Sequence, residues 1–142
     1  MKRTGSAVWN GDLPSGKGSI STPSGTLKDT QFSFKTRFED GTGTNPEELI
    51  AGAHAGCFSM AFSNELASAG FTPDSVATEA SVQLDQVEGG FAITSIHLEC
   101  EAKVPNIDES KFQEIAEGAK KGCPVSKALA SVEITLTAKL MS

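Results

Sequence analysis

The spacing of apolar positions changes along the chain, and each spacing predicts a different element. In "TQFSFKTRF", Phe32, Phe34 and Thr36 fall on one face and Gln31, Ser33 and Lys35 on the other, the period of two expected of a strand. With the shorter pieces "SAVWNG" and "GKGSIST" and the turn "TPSGT", this predicts an antiparallel meander with Arg37 at the end of its last strand. The loop "EDGTGTNP" then leads to a helix start: Asn45 suits the N-cap, Pro46 the first helical position, and Glu48 the acid of a capping box. From there apolar residues no longer alternate. Leu49, Ile50, Ala53, Cys57, Phe58, Met60, Ala61, Phe62 and Leu66 cover most of a helical circumference, which predicts a buried helix running to about Ala69 and stopped by Gly70.

Alternation returns in "SVATEASVQLDQV" and "FAITSIHLECEAKV", which "EGG" joins into a predicted hairpin. In its second strand Ile96, Leu98, Cys100, Ala102 and Val104 share one face and His97, Glu99, Glu101 and Lys103 the other. "VPNIDESKFQEIAEGAKKG" predicts a second long helix, with Asp108 as N-cap and Gly122 as stop. A short helix over "PVSKALAS" and a closing strand over "VEITLTAKL" complete the chain. With no repeat, low-complexity tract or linker, residues 1–142 read as one α+β domain.

Composition narrows the function. The formal charge is −6 and no basic run exceeds Lys120-Lys121, so a nucleic-acid partner is not expected. No stretch reaches the roughly 18 consecutive apolar residues of a membrane span, and "MKRTGSAVWNGD" lacks the apolar core of a secretory signal. A cytoplasmic protein without membrane contact is the expectation. There, three cysteines do not make a disulfide framework, whereas transient redox bridges are known.

The three thiols differ. Cys100 lies on the apolar face of its strand and reads as a small core hydrophobe. Cys123, between Gly122 and Pro124, sits where a helix begins, a position whose free N–H groups favour a thiolate. Cys57 is mid-helix among small and apolar neighbours, so burial alone would leave it protonated. To act as a nucleophile it needs a cation. His54 shares its helical face, but a histidine in an apolar helix is more often a hydrogen-bonded packing residue; Arg37, which stays charged when desolvated, suits the task better. His54, Cys57 and Cys123 are also acceptable zinc ligands, though no fourth ligand and no CxxC pair is evident.

Together "TRFE", "GTNPEELI", "HAGCFSMAFS", "GGFAIT" and "GCPVSKAL" resemble the OsmC (osmotically inducible protein C) family, sister to the organic hydroperoxide resistance (Ohr) proteins. The resemblance runs in order over nearly the whole chain. It implies an OsmC-like fold, with antiparallel sheets packed on a long central buried helix in an intertwined homodimer whose active sites lie at the interface. It implies a thiol peroxidase that needs no cofactor and no metal and prefers organic hydroperoxides to hydrogen peroxide. By motif, Cys57 resembles the peroxidatic cysteine and Cys123 the resolving one, while Arg37 and Glu47 resemble the activating pair. Where the Ohr branch carries its arginine this chain has Lys17, which favours the OsmC branch.

The implied chemistry is a Cys57 sulfenic acid, then a Cys57–Cys123 disulfide, re-reduced by an external dithiol or a lipoylated protein. Glu47 and Cys57 are ten positions apart on one predicted helix, about 15 Å along its axis. A two-fold dimer would bring Glu47 of one copy to Cys57 of the other. The rival readings are a redox sensor or ligand-binding module that forms the disulfide without turnover, and the His/Cys metal site.

Overall fold

The computed structural model describes residues 1–142, which divide into two compact units, Met1–Leu49 and Ile50–Ser142. In the first unit, β1 (Ser6–Asn10), β2 (Lys17–Ser21) and β3 (Thr30–Phe32) form an antiparallel sheet in the order β1-β2-β3. Gly18 pairs with Trp9 on one side and with Phe32 on the other. A Cβ at position 18 would collide with both rings, so glycine lets Trp9 and Phe32 meet across β2 at a centroid distance of 5.4 Å.

The third strand is shorter than its alternation suggested. It ends at Phe32, and a short helix, α1 (Phe34–Phe38), takes the place of the expected strand end. The reason is local. Ser33 and Thr36 form a capping box: the Ser33 N–H donates to Thr36 Oγ1 at 2.7 Å and Ser33 Oγ accepts from the Thr36 N–H. These hydrogen bonds override a period of two carried by only three residues. Arg37 therefore lies in the last turn of a helix, not at the end of a strand.

The helix α2 (Pro46–Ser68) starts as its sequence signals predict, with Asn45 Oδ1 accepting from the Glu48 N–H at 2.8 Å. Glu48 itself does not reach back; its carboxylate accepts from the Thr44 hydroxyl at 2.8 Å. At the far end Gly70, with φ +95°, permits the paired closing bonds Phe71 N–H to Leu66 O and Gly70 N–H to Ala67 O.

The second unit carries the core. Strands β4 (Ser75–Val87) and β5 (Gly90–Lys103) form the expected long hairpin, with a bulge where Gln83 pairs Ser95 and Leu84 pairs Ile93. Helix α3 (Glu109–Gly122) is capped by Asp108, and the short α4 (Pro124–Ala128) follows at once. The last strand, β6 (Glu133–Met141), joins β5 in parallel, so this sheet, in the order β4-β5-β6, is mixed rather than wholly antiparallel. A crossover through two helices returns the chain to the end of the sheet from which β5 set out, and parallel pairing follows from it.

The face of β5 carrying Ile96, Leu98, Cys100 and Ala102 is fully buried, as its alternation predicts. Against it pack Phe58, Phe62 and Leu66 of α2 and Phe112, Ile115, Ala116 and Ala119 of α3. Phe62 and Phe112 meet edge to face at 5.3 Å. The expectation that α2 is buried all round is corrected. Its buried stripe in this unit is His54, Phe58, Phe62 and Leu66, at i, i+4 spacing, whereas Gly52, Ala53, Gly56 and Met60 are exposed and Met60 retains 77% of its surface. A single chain does not cover the second apolar side. No helix is long and apolar enough to cross a membrane.

Candidate active site

Of the four residues singled out in the sequence, two pairs form, one in each unit. In the first unit the Arg37 guanidinium grips Glu47: Nε donates to Oε1 at 2.9 Å, and Nη2 lies 2.9 Å from the same oxygen. The local structure sets this up. Asn45 Nδ2 donates to the Thr36 carbonyl at 2.9 Å and the Thr44 N–H donates to the Gln31 carbonyl at 2.9 Å, tying α1 and β3 to the first turn of α2. The guanidinium carbon stands 5.4 Å from the centre of the Phe38 ring. Glu47 is buried, and its second oxygen, Oε2, has no hydrogen-bond partner. A buried carboxylate oxygen with an unspent lone pair calls for a donor. Beside Arg37, Trp9, Leu13, Phe32, Phe34 and Phe38 line an apolar cavity of about 260 Å³.

In the second unit the sulfurs of Cys57 and Cys123 are 2.9 Å apart. Cys57 comes from the middle of α2. Cys123 comes from the junction at which it closes α3, its N–H donating to the Ala119 carbonyl, and opens α4, with Pro124 at the first helical position. Both are free thiols; Cys57 is half-buried and Cys123 fully buried. Burial pushes the Cys57 thiol up, and the adjacent Cys123 raises it further. Burial works against the Cys123 thiolate too. Hydrogen bonds from Cys57, from the backbone and hydroxyl of Ser126 and from the Val125 backbone outweigh it and hold that thiol below its ordinary value. Of the two, Cys123 is the more acidic.

His54 is fully buried. Its Nε2 lies 2.8 Å from Ser126 Oγ, its Nδ1 has no partner, and burial lowers its pKa, so the ring is neutral. The residue weighed as a base for Cys57 is thus hydrogen-bonded to a serine beside Cys123. Sequence reasoning passed over Ser126; the one signal was its place three positions after Cys123 in "CPVS". Cys100 lies in the core, where burial raises its thiol. Phe58 and Phe62 belong to the core, whereas Met60 faces outward. No group of three or more His, Cys, Asp or Glu side chains is arranged to hold a metal ion.

Known proteins share this fold and much of this sequence. Residues 39–137 match the family model described as OsmC-like protein. Peroxiredoxin OsmC of Escherichia coli (strain K12) is 55% identical over 142 residues, covering 100% of this chain and 99% of that protein. The organic hydroperoxide resistance protein of Xanthomonas axonopodis pv. citri (strain 306) is 35% identical over 99 residues, 68% of each chain. Among solved structures, the organic hydroperoxide resistance protein OhrB of Bacillus subtilis superposes with a TM-score of 0.71 at 29% identity, covering 96% of this chain and 98% of that one. The OsmC-like protein of Mycoplasma pneumoniae, at 20% identity and a TM-score of 0.74 over 100% and 99% of the two chains, shares the fold. The paired thiols and the α+β fold are those of a cysteine-based redox protein. The chain belongs to the OsmC family.

Proposed function

We propose that the protein is a thiol-dependent peroxidase that reduces organic hydroperoxides, and hydrogen peroxide less well, to the corresponding alcohols or water. That it is an enzyme of the cysteine-peroxidase kind follows from its family and from relatives named for that activity. Within it, Cys57 is the peroxidatic residue and Cys123 the resolving one. The observation that carries it is the 2.9 Å approach of the Cys57 and Cys123 sulfurs, of which Cys57 is the more accessible. A disulfide needs sulfurs about 2.05 Å apart, so a shift of about 1 Å joins them.

Cys57, as thiolate, attacks the distal oxygen of the hydroperoxide; the O–O bond breaks, the alkoxide takes a proton, and Cys57 becomes a sulfenic acid. Cys123 displaces hydroxide from that sulfur to form the disulfide, which a dithiol, free or carried on a lipoylated protein, reduces by exchange. Arg37 stabilises the Cys57 thiolate and orients the peroxide. Glu47 Oε1 holds the guanidinium, and Oε2, left without a donor, suits the peroxide O–H. The apolar cavity beside Arg37 suits an organic substituent.

Since α2 is one continuous helix, Arg37 and Glu47 serve Cys57 of a second copy, in an intertwined homodimer with two equivalent composite sites. Its exposed face at Gly52, Ala53, Gly56 and Met60 is consistent with cover by that copy. The 142 residues act as one peroxidase domain, in the cytoplasm. Turnover of an organic hydroperoxide and of hydrogen peroxide, with a dithiol present, tests the reading. Cys57→Ser abolishes both, and retained turnover in that variant overturns the assignment.

A further inference from the structure

We infer that the His54–Ser126 hydrogen bond is a latch that keeps α4, and with it Cys123, in attacking position beside the oxidised Cys57. Both side chains are then positioning residues for the disulfide-forming step. The inference rests on the peroxidase reading above and adds two residues that this reading does not use. His54 Nε2 lies 2.8 Å from Ser126 Oγ, and the Cys57 and Cys123 sulfurs lie 2.9 Å apart. His54 stands three positions before Cys57 on α2 (57 − 54), and Ser126 three positions after Cys123 (126 − 123), in the first turn of α4. The two contacts are thus neighbouring rungs between the same two elements, about 4.5 Å apart along α2.

The polar rung is the one hydrogen bond between a side chain of α2 and a side chain of α4. Neither end is open to water, since His54 is fully buried and Ser126 is 5% exposed. His54 Nδ1 has no partner, so the core holds a ring that is only half satisfied. An apolar side chain would fill that place without an orphaned nitrogen, and the bond at Nε2 is what the histidine adds. The helix α4 itself needs holding. It is a single turn of five residues, too short to be stable alone, and its cap, Cys123, makes no side-chain capping bond. Val125 and Leu129 pack against the core, but apolar contact has no direction and does not fix how the turn is rotated.

The latch acts between the two chemical steps. The contact between the sulfurs is a hydrogen bond of two thiols, and turnover removes it: Cys57 becomes a sulfenic acid, and Cys123 gives up its proton to attack. The His54–Ser126 bond involves neither sulfur and persists. In the step it serves, the Cys123 sulfur gives an electron pair to the Cys57 sulfur and the S–S bond forms. The S–O bond breaks, and the departing hydroxide takes a proton from solvent to become water. Cys123 is oxidised and the sulfenic sulfur is reduced.

The test mixes the intact protein with one equivalent of tert-butyl hydroperoxide. A 1,3-dione traps Cys57 sulfenic acid, and mass spectrometry follows that adduct and the Cys57–Cys123 disulfide in time. In Ser126→Ala and His54→Leu, sulfenic acid forms within about twofold of the wild-type rate, while disulfide formation slows about tenfold, the loss expected of one buried hydrogen bond. The double variant is no slower than either single one, because both substitutions remove the same bond. His54→Gln keeps an N–H donor in that place and recovers most of the rate, which a merely structural role does not predict. Under excess hydroperoxide the slowed variants accumulate Cys57 sulfinic acid. Wild-type disulfide rates in both single variants, a double variant slowed about a hundredfold, or equal slowing of both steps overturns the inference. Should Ser126→Ala fail to fold, equal disulfide rates in His54→Leu and His54→Gln overturn it alone. Absence of sulfenic acid at Cys57 in the wild type instead overturns the peroxidase reading on which the latch depends.

Discussion

Replacing Glu47 with glutamine removes one negative charge and leaves the shape of the side chain. In the structure Oε1 accepts from Arg37 Nε at 2.9 Å and lies 2.9 Å from Nη2, while the guanidinium side chain stays 38% exposed. Hydrogen bonds to charged groups contribute about 1.5–3 kcal/mol each. Solvent screening at the exposed end of the pair and the acceptor that glutamine retains reduce the joint loss to about 1.5 kcal/mol. Arg37 then holds its orientation less firmly, and the rate of Cys57 sulfenic acid formation falls about tenfold. Glu48 supplies the control: it is exposed, one residue further along the same helical turn, and bonded to Thr44. Rapid-mixing kinetics with an organic hydroperoxide reads the rate, and circular dichroism checks the fold. The expected result is a tenfold loss in Glu47→Gln with Glu48→Gln unchanged. A folded Glu47→Gln protein within twofold of wild type would remove the Arg37–Glu47 pair from the mechanism.

Other outcomes follow from the same structure. Met60, exposed on the open side of α2, is expected to be covered by a second copy. Met60→Lys strands an ammonium there and weakens the dimer about a hundredfold, as sedimentation on dilution reports; an unchanged dimer places the interface elsewhere. Phe62 is fully buried and packed against the rings of Phe58 and Phe112, so Phe62→Ala costs about 3–5 kcal/mol in chemical denaturation. Burial holds the His54 pKa below its ordinary value of 6.5, so the ring is neutral in the folded state. Below that pH the unfolded chain takes up a proton that the folded one refuses, and stability declines as pH falls. Denaturation of His54→Gln shows a shallower decline as pH falls below about 6.5.

Much of this was legible because local signals agreed. Asn45-Pro46, Gly70 and Asp108 mark helix ends by side-chain and backbone hydrogen bonds that need no tertiary partner. The alternation in β5 identifies the face that becomes the core. The misses have physical causes. Phe32, Phe34 and Thr36 look like a strand face until the Ser33–Thr36 box closes and turns the chain into α1. Parallel pairing of β6 was implied by the two helices between it and β5, but the eye follows the preceding hairpin. The apolar circumference of α2 was legible, but a single chain buries only one stripe of it. At the site, Cys57 and Cys123 were legible as chemistry, but their distance was not. The serine that hydrogen-bonds His54 has no signature beyond its place three positions after Cys123.

The most direct measurement treats reduced wild-type protein with one equivalent of organic hydroperoxide and maps its disulfides by peptide mass spectrometry. The account predicts one bridge within each chain, Cys57 to Cys123, with Cys100 still a thiol. A Cys57 that stays reduced, or a bridge made instead through Cys100 or between chains, contradicts it.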